Sequence, residues 1–334
     1  MKTILVTGAT GFLGKHLVEQ LKRQAGDLRL RVLCRGSSPW DQDPAVEAVR
    51  GDIVSRQDVL RAVAGAEEVY HLAGVVSRDP KDASLVYQTH VEGTRNVCEA
   101  AREKGVRKIV HVSSSGTIAV SREPVVHDEC SGYKHEMLGE WPYYLSKIFA
   151  EKLALDYFTR YRLPVVVASP SLILGPGDDR NSSTRDVALF LEGKILAIPS
   201  GGLSFVDARD VATALIAALR EGGPSERYLL GAANWTFREL VRKLSEVSGV
   251  GAPKLQPSPE MALRSARWLG RAYRLAGKSF PLDDASVKMS ALFWYCDSGK
   301  ARAKLGFVTR DPLDTLKDTV NDLRAPGAHR RARL

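Results

Sequence analysis

The stretch TGATGFLG at Thr7–Gly14 decides the fold. It sets Gly8, Gly11 and Gly14 in a G-x-x-G-x-x-G pattern between a short apolar run and an amphipathic stretch. Glycine is needed where a turn takes unusual dihedral angles or where backbone approaches a phosphate closely. The free amides of a following helix then attract the anion. Because a strand before and a helix after are the context this motif requires, the pattern predicts a dinucleotide's pyrophosphate at the turn.

The chain around this turn alternates short apolar runs with helix-period stretches, which is typical of stacked βαβ units and a parallel sheet. We predict the N-terminal strands at 3–7, 28–34, 69–73, 108–113 and 165–168, and the helices at 12–24 and 143–160. Leu163-Pro164 ends the last helix, since proline disfavours helical backbone in the residue before it.

Beyond Gly175 the pattern loosens, with helices expected near 211–220 and 237–248. The sequence therefore predicts an α/β protein with a Rossmann-like, doubly wound parallel sheet. We expect the dinucleotide-binding core at 1–175 and a smaller, mixed C-terminal substrate lobe at 176–324 that includes returning core elements. A basic, disordered tail is expected at 325–334.

Composition narrows the class of protein. The 334 residues are 44% hydrophobic and 26% charged, which is ordinary for a globular protein, and no apolar run predicts a membrane span. The start MKTILVTGAT lacks a signal peptide's features, and the four cysteines lack CxxC spacing, so we expect a cytoplasmic protein without a metal cluster. The net charge of +9 comes without a nucleic-acid module, which indicates a solvated basic surface rather than a nucleic-acid partner.

The end of the second predicted strand indicates which dinucleotide binds. An NAD site carries an acidic residue about 20 positions past the glycines, whereas this chain reads Leu33-Cys34-Arg35-Gly36. The forked guanidinium of Arg35 can pair with a 2′-phosphate, which favours NADP and leaves NAD possible. The alternative is a solvated surface arginine.

Two later turns add candidate contacts. Asp52, in Gly51-Asp52-Ile53, is positioned either to accept a hydrogen bond from adenine's amino group or to cap a helix start. In His71-Leu72-Ala73-Gly74 the small residues let backbone pass under a ribose, and we interpret His71 itself as a core histidine.

YYLSK at Tyr143–Lys147 opens a later predicted helix. Tyr143 and Lys147 are four residues apart and share one helix face. A phenol with a reference pKa of about 10 is a poor acid or base at neutral pH, and a nearby ammonium lowers that pKa by stabilising the phenolate. A serine from the run Ser113–Ser115 can orient a carbonyl or hydroxyl beside them. The combination predicts proton transfer next to the dinucleotide.

In their order, these motifs resemble those of extended short-chain dehydrogenases/reductases, the NAD-dependent epimerase/dehydratase superfamily. The likeness covers roughly residues 1–324 and includes HLAG, SPSLILGPGD, FVDARDVA and SGKARAKLGF. It implies that Tyr143 is the general acid/base and that Lys147 binds the nicotinamide ribose. Ser114 aligns best with the family's catalytic serine, and Ser115 is the alternative. The candidate cofactor contacts are then Gly8, Thr10, Gly11, Phe12, Leu13, Gly14, Arg35, Asp52, Ile53, Leu72, Ala73, Gly74, Tyr143, Lys147 and Pro170.

Three positions depart from the family's habits. Many members have asparagine at the position of His90, which we interpret as structural. Sugar-nucleotide epimerases often carry an arginine where this chain has Gly201-Gly202-Leu203, and an asparagine near the position of Leu172. Two usual ligands of a nucleotide sugar are therefore missing.

The two missing nucleotide-sugar ligands, together with Arg35, predict an NADP-dependent oxidoreductase. It would reduce a ketone, or oxidise a secondary alcohol, on a fairly apolar small molecule. The pattern is similar to dihydroflavonol reductase-like and 3β-hydroxysteroid dehydrogenase-like members. The alternative is an NAD-dependent sugar-nucleotide epimerase or dehydratase. A cofactor-sensing scaffold without chemistry is a third reading, which the intact serine, tyrosine and lysine disfavour. A homodimer is the family's habit.

A basic stretch, MALRSARWLGRAYRLAGK at 261–278, remains. Its arginines recur at helical spacing opposite small and apolar residues; the two sets are Arg264, Arg267, Arg271 and Arg274, and Ala262, Leu269 and Ala276. Such a helix can lie on a membrane surface, but more often it covers a core and shows a solvated face, which we expect here. The resemblance offers Trp268 as a lining residue of the substrate pocket.

Overall fold

The structure is a computed structural model that describes residues 2–24, 28–77, 79–275, 277 and 284–325. The strands are β1 (Lys2–Thr7), β2 (Leu28–Cys34), β3 (Val46–Arg50), β4 (Glu68–His71), β5 (Lys108–Val112), β6 (Val126–His127), β7 (Val165–Pro170), β8 (Leu172–Leu174), β9 (Gly202–Asp207), β10 (Arg227–Leu230), β11 (Ala233–Thr236) and β12 (Phe293–Cys296). The helices are α1 (Phe12–Lys22), α2 (Arg56–Val63), α3 (Ala83–Tyr87), α4 (Gly93–Glu103), α5 (His135–Leu138), α6 (Pro142–Tyr161), α7 (Arg185–Leu191), α8 (Ala208–Glu221), α9 (Phe237–Ser248), α10 (Pro259–Leu275), α11 (Asp284–Ser290), α12 (Gly299–Leu305) and α13 (Pro312–Arg324).

Seven of the described strands form one parallel sheet in the order β10-β7-β5-β4-β1-β2-β3. The chain enters at β1, which pairs with β2 on one side and β4 on the other. Strand order therefore reverses beside β1, and in such sheets ligands bind outside the carboxyl ends of the strands at that point. The Rossmann-like, doubly wound sheet is confirmed.

Helices cover both faces of this sheet, as buried parallel strands require. On one face α1 and α8 share a core with β1, β2 and β10. In α1 that contact comes from Leu13, Leu17 and Leu21, which recur every four residues and are buried. On the other face, residues of α2, α4 and α6 form a second core with β4, β5 and β7.

Several predicted boundaries are wrong by one to three residues, and the strands β3, β6 and β8–β12 are missing from the prediction. β3 at Val46–Arg50 was not predicted, because Glu47 and Arg50 give this edge strand a polar pattern. β4 ends at His71 instead of residue 73, where its ladder with β1 ends opposite Thr7. α1 ends at Lys22 and β5 at Val112.

A second sheet has the order β11-β9-β12-β6, with β8 paired to β9. Side chains from α7, α9 and α13 form its core, which includes Phe205, Leu244 and Leu316. The predicted helices near 211–220 and 237–248 are confirmed as part of α8 and as α9. Because α8 and β10 belong to the first sheet's layers, core elements do return after residue 175, while the boundary itself stays a prediction.

No helix in the described part of the chain is long and apolar enough to cross a membrane. The predicted basic tail beyond residue 325 lies outside the described residues, as does Ala276.

Candidate active site

The glycine turn lies at the carboxyl end of β1, where three pieces of backbone meet. Gly8 has a φ of +71°, and a Cβ on it would lie 2.6 Å from the backbone nitrogen of Ala73. A Cβ on Gly14 would lie 2.2 Å from the carbonyl oxygen of Gly8. Only glycine lets the turn, the end of β4 and the first turn of α1 pack this closely.

The N-terminus of α1 fits a dinucleotide's pyrophosphate. Gly11 is the N-cap residue and makes no side-chain capping bond, so the capping position supplies no side-chain acceptor to the first amides. These amides and the helix dipole attract anions. Thr10 belongs to the turn, Leu13 is buried, and the Phe12 ring packs edge-on against His16 at a centroid distance of 5.7 Å.

Two arginines stand at the carboxyl ends of β2 and β3. Arg35 directly follows β2 and is exposed, and it has no hydrogen-bonding or ionic partner among the residues that the structure describes. Arg50 ends β3 opposite Cys34, where it forms an ion pair with Asp41 at 2.5 Å and donates to the Cys34 Sγ at 2.6 Å. Sequence reasoning missed Arg50 because β3 was not recognised.

Asp52 organises the turn after β3. Its Oδ1 accepts a hydrogen bond from the Val54 amide at 3.1 Å, and its own amide donates to Asp58 at 2.9 Å. Ser55, not Asp52, caps α2, so the capping alternative is wrong. The contact of Asp52 with adenine stays a prediction. Its neighbour Ile53 is buried.

His71 is a buried core histidine, as predicted. Its two ring nitrogens bond to the hydroxyls of Thr7 at 2.8 Å and Thr94 at 3.0 Å. Burial, followed by the charge of Lys147, lowers the pKa of His71 to about 3, so its ring is neutral at physiological pH. It ties the end of β4 to β1 and α4.

The backbone after β4 passes beside the head of Lys147. Leu72 and Ala73 are partly buried and Gly74 is exposed. A Cβ on Gly74 would lie 3.1 Å from the Nε2 of His90 and 3.4 Å from the Nζ of Lys147. Glycine at position 74 therefore lets this backbone pass close to that ammonium, and its passage under a ribose stays a prediction.

Tyr143 and Lys147 lie one turn apart near the start of α6, whose first residue is Pro142, a position that proline favours. Lys147 is only 7% exposed, and its Nζ donates to the carbonyl of Val112 at the end of β5, at 3.1 Å. Burial lowers the pKa of Lys147 to about 8, although Glu151 acts in the opposite direction.

The pKa of Tyr143 differs from the expectation. Burial of its hydroxyl raises the pKa to about 12, while a side-chain hydrogen bond with Ser114 acts to lower it. The predicted lowering by Lys147 is not found, because the Lys147 ammonium faces the Val112 carbonyl. Tyr143 is therefore a neutral phenol at physiological pH, which suits a proton donor.

The serine run divides into three roles. Ser113 donates to the buried carboxylate of Glu151 at 2.5 Å, and Ser115 is 4% exposed at the start of a 3₁₀ turn. Ser114 is the member that bonds to Tyr143, and its Oγ also accepts from the Gly116 amide at 3.3 Å. This geometry favours Ser114 over Ser115 as the serine that orients a substrate oxygen.

His90 supports the start of α6. Its Nε2 accepts from the Val75 amide at 3.1 Å, so its Nδ1 carries the proton that faces the Ser146 Oγ at 2.7 Å. Ser146 in turn donates to the Tyr143 carbonyl at 2.8 Å. Burial, then the charge of Lys147, lowers the pKa of His90 to about 2. A neutral ring thus holds the backbone of Tyr143 in place, which agrees with the structural interpretation.

Glu151 is a site residue that sequence reasoning missed. Its side chain is fully buried and paired with Arg227, whose side chain is 13% exposed. It also accepts from Ser113 and from the Tyr133 hydroxyl, the latter at 3.1 Å. Its spacing was a usable signal, because Glu151 continues the four-residue stripe of Tyr143 and Lys147 on one face of α6.

Aromatic side chains adjoin the tyrosine. The ring of Tyr144 stacks on Trp294 of β12 at 4.9 Å and stands edge-on to Tyr143 at 5.0 Å. Trp141 closes the group at 6.2 Å from Trp294. We call Trp141, Tyr144 and Trp294 the aromatic wall. Pro170 is buried at the carboxyl end of β7, and its contact with a nicotinamide stays a prediction.

A doubly wound parallel sheet with a glycine turn at the carboxyl end of β1, and a tyrosine and lysine near the same edge, is the arrangement found in a class of nicotinamide-dependent oxidoreductases. Residues 4–231 match the model of the NAD dependent epimerase/dehydratase family. The chain belongs to this family and is an NAD(P)-dependent enzyme of the extended short-chain dehydrogenase/reductase type.

Similar proteins extend over almost the whole chain. A putative dihydroflavonol 4-reductase of Synechocystis is 31% identical over 95% of this chain and 93% of its own length. Sterol demethylase protein B of Methylococcus capsulatus is 31% identical over 97% of this chain and 99% of its own length. The crystal structure of gox2253 superposes with a TM-score of 0.82 at 28% identity, covering 97% of this chain and 98% of its own.

Proposed function

We propose that this protein uses NADP to reduce a ketone, or to oxidise the corresponding secondary alcohol, on a fairly apolar small molecule. The aromatic wall carries the proposal, since it brings stacked, flat side chains into ring contact with Tyr143. Trp141 belongs to the core behind Tyr144 and Trp294, which are only partly buried. Partly exposed aromatic faces of this kind bury apolar and aromatic ligands well. A sugar ring would in addition require hydrogen-bonding partners for its hydroxyls.

The bound dinucleotide would supply or accept a hydride at its nicotinamide ring. Gly8, Gly11 and Gly14 would hold its pyrophosphate, and Lys147 would donate to its ribose hydroxyls. Ser114 would orient the substrate oxygen by a hydrogen bond. Tyr143 would then donate its phenolic proton to that oxygen as negative charge develops.

The stretch at Gly201-Gly202-Leu203 counts against the sugar-nucleotide alternative. A Cβ on Gly201 would lie 2.1 Å from the Leu292 carbonyl oxygen, and one on Gly202 would lie 2.3 Å from the Tyr295 hydroxyl. These positions have no room for the arginine that nucleotide-sugar enzymes often carry. The side chain of Leu172 offers no hydrogen bond in its place.

The similar proteins support an apolar substrate through their names. The Synechocystis relative is named for a dihydroflavonol and the Methylococcus relative for a sterol. Both words denote fused-ring molecules with few charges. The aromatic wall is compatible with either shape.

A paired assay tests the reaction. We expect NADPH to be oxidised in proportion to added aromatic or fused-ring ketones, with one alcohol formed for each NADPH consumed. The same preparation is incubated with UDP-sugars, and the products are separated by chromatography. Epimer formation without net NADPH oxidation would overturn the proposal in favour of the alternative.

The preference for NADP rests on Arg35. It is exposed at the end of β2, where the adenosine ribose of a dinucleotide lies in Rossmann folds. Its guanidinium forms no hydrogen bond or ion pair with any described residue. Arg50, by contrast, is already paired with Asp41. Arg35 is therefore the available partner for a 2′-phosphate.

Replacing Arg35 by alanine should weaken NADPH binding by about ten- to a hundredfold, the value of one hydrogen bond to a charged group. NADH binding should not change, because NADH lacks the 2′-phosphate. Fluorescence titration of both nucleotides measures this, with Arg107→Ala, an exposed arginine on another edge, as the matched control. Equal losses for NADH and NADPH would contradict the assignment.

A further inference from the structure

One face of α10 exposes large apolar side chains. Met261, Trp268 and Leu275 are 60%, 71% and 91% exposed. They are seven residues apart, so they line up along the helix. Trp268 is thus mostly exposed to solvent, and its place in a substrate pocket stays a prediction.

Arginines alternate with these apolar side chains on the same face. Arg264 and Arg271 fall between them at spacings of three and four residues and are exposed, and the Arg271 guanidinium lies 5.9 Å from the Trp268 ring centre. Arg267 flanks the row and pairs with Asp284 at 2.8 Å. The sequence pattern places small and apolar residues opposite the arginines, but in the described part of the helix only the small Ala266 is buried.

We propose that this face of α10 binds the anionic surface of a lipid bilayer. Tryptophan prefers the headgroup level of a membrane, where its ring is partly apolar and its N–H remains hydrated. Arginines beside it pair with lipid phosphates, each contributing about 1 kcal/mol near an anionic surface. Met261 and Leu275 extend the apolar contact on either side of Trp268, which is the pattern of an interfacial helix.

The charge of this face favours a lipid bilayer over a second copy of the chain as its partner. If two copies met through this face, Arg264 and Arg271 of one copy would lie against the same arginines of the second copy. Like charges at an interface are unfavourable. An anionic bilayer meets the same arginines with opposite charge. The inference does not rest on the proposed reaction, because binding to lipid requires no turnover.

Co-sedimentation of the whole protein with vesicles tests the proposal. The vesicles are phosphatidylcholine alone, or equal parts of phosphatidylcholine and phosphatidylglycerol. We expect binding to the mixed vesicles that falls as salt is raised. Arg264→Gln/Arg271→Gln should reduce the partition coefficient by about 30-fold, which corresponds to two arginines, and Trp268→Ser should reduce it as well.

Arg238→Gln/Arg242→Gln is the matched control, since both arginines are exposed on α9 and the net charge changes equally. It should bind like the wild type. Thermal unfolding of each variant checks that the fold is kept. Equal losses in both double variants, binding only to phosphatidylcholine, or a lipid-independent dimer abolished by Trp268→Ser would overturn the proposal.

Discussion

Replacing Tyr143 by phenylalanine should lower kcat for ketone reduction by about 10²–10⁴-fold, the usual contribution of a positioned general acid. The variant keeps the ring that packs against His90 and Tyr144, so the site should keep its shape. It loses only the proton that the substrate oxygen receives. NADPH binding should therefore be unchanged.

Single-turnover kinetics and NADPH titration separate these two effects. Tyr161→Phe is the matched control, because it removes a phenolic hydroxyl from the exposed end of the same helix and should leave kcat unchanged. Full activity in Tyr143→Phe would exclude the tyrosine as acid.

The pH profile of the wild type adds a second readout. Burial raises the pKa of Tyr143 to about 12, so the phenol holds its proton throughout the working range. Burial lowers the pKa of Lys147 to about 8, so its ammonium is present below that pH and is lost above it. The rate of ketone reduction should be constant at lower pH and should fall as the pH rises through about 8. Lys147→Arg should remove this fall, since arginine keeps its charge.

The parts of the site that local sequence determines were predictable. The glycine turn and the start of α6 each depend on residues within a few positions of one another, and their patterns have a direct physical meaning. β3 was missed because an edge strand needs few apolar residues and shows little alternation. The predicted lowering of the Tyr143 pKa by Lys147 was wrong because it depends on where the lysine's ammonium points. The Val112 carbonyl that receives it comes from β5, 35 residues away.

Side chains distant in sequence were beyond prediction for the same reason. Glu151 and Arg227 are separated by 76 residues, and nothing in either segment indicates the other. The exposure of Trp268 depends on which face of α10 meets the lobe, and the periodicity of arginines and small residues fits more than one orientation. Helical spacing identifies a stripe, but only packing decides whether the stripe is buried.

Replacing Glu151 by alanine should lower the free energy of unfolding by about 3–5 kcal/mol, the cost of leaving one member of a buried ion pair alone. The Glu151 side chain is fully buried and that of Arg227 nearly so. Its carboxylate also accepts hydrogen bonds from the hydroxyls of Ser113 and Tyr133. The truncation would leave a guanidinium and two hydroxyls without their acceptor, and each unsatisfied group adds to the loss.

Urea unfolding measures this loss of stability, and Glu103→Ala is the reference variant for the loss of an exposed ion pair. Glu103 pairs with Arg56 at the surface, and such a pair contributes about 0–1 kcal/mol. The double change Glu151→Leu/Arg227→Met should recover part of the stability, because it removes the unpaired charge and fills the space with apolar groups. A cost for Glu151→Ala no larger than that for Glu103→Ala would show that water or another group replaces the carboxylate.

The double variant also tests what Glu151 does for the active site. Glu151 holds Ser113, and Ser113 directly precedes Ser114, so the carboxylate fixes the end of β5 on which the substrate oxygen would be oriented. If that is its role, the stabilised double variant should regain its fold while kcat stays low and NADPH binding stays normal. Recovery of kcat together with stability would instead assign Glu151 to folding alone, and would leave the position of Ser114 to its hydrogen bonds with Tyr143 and Gly116.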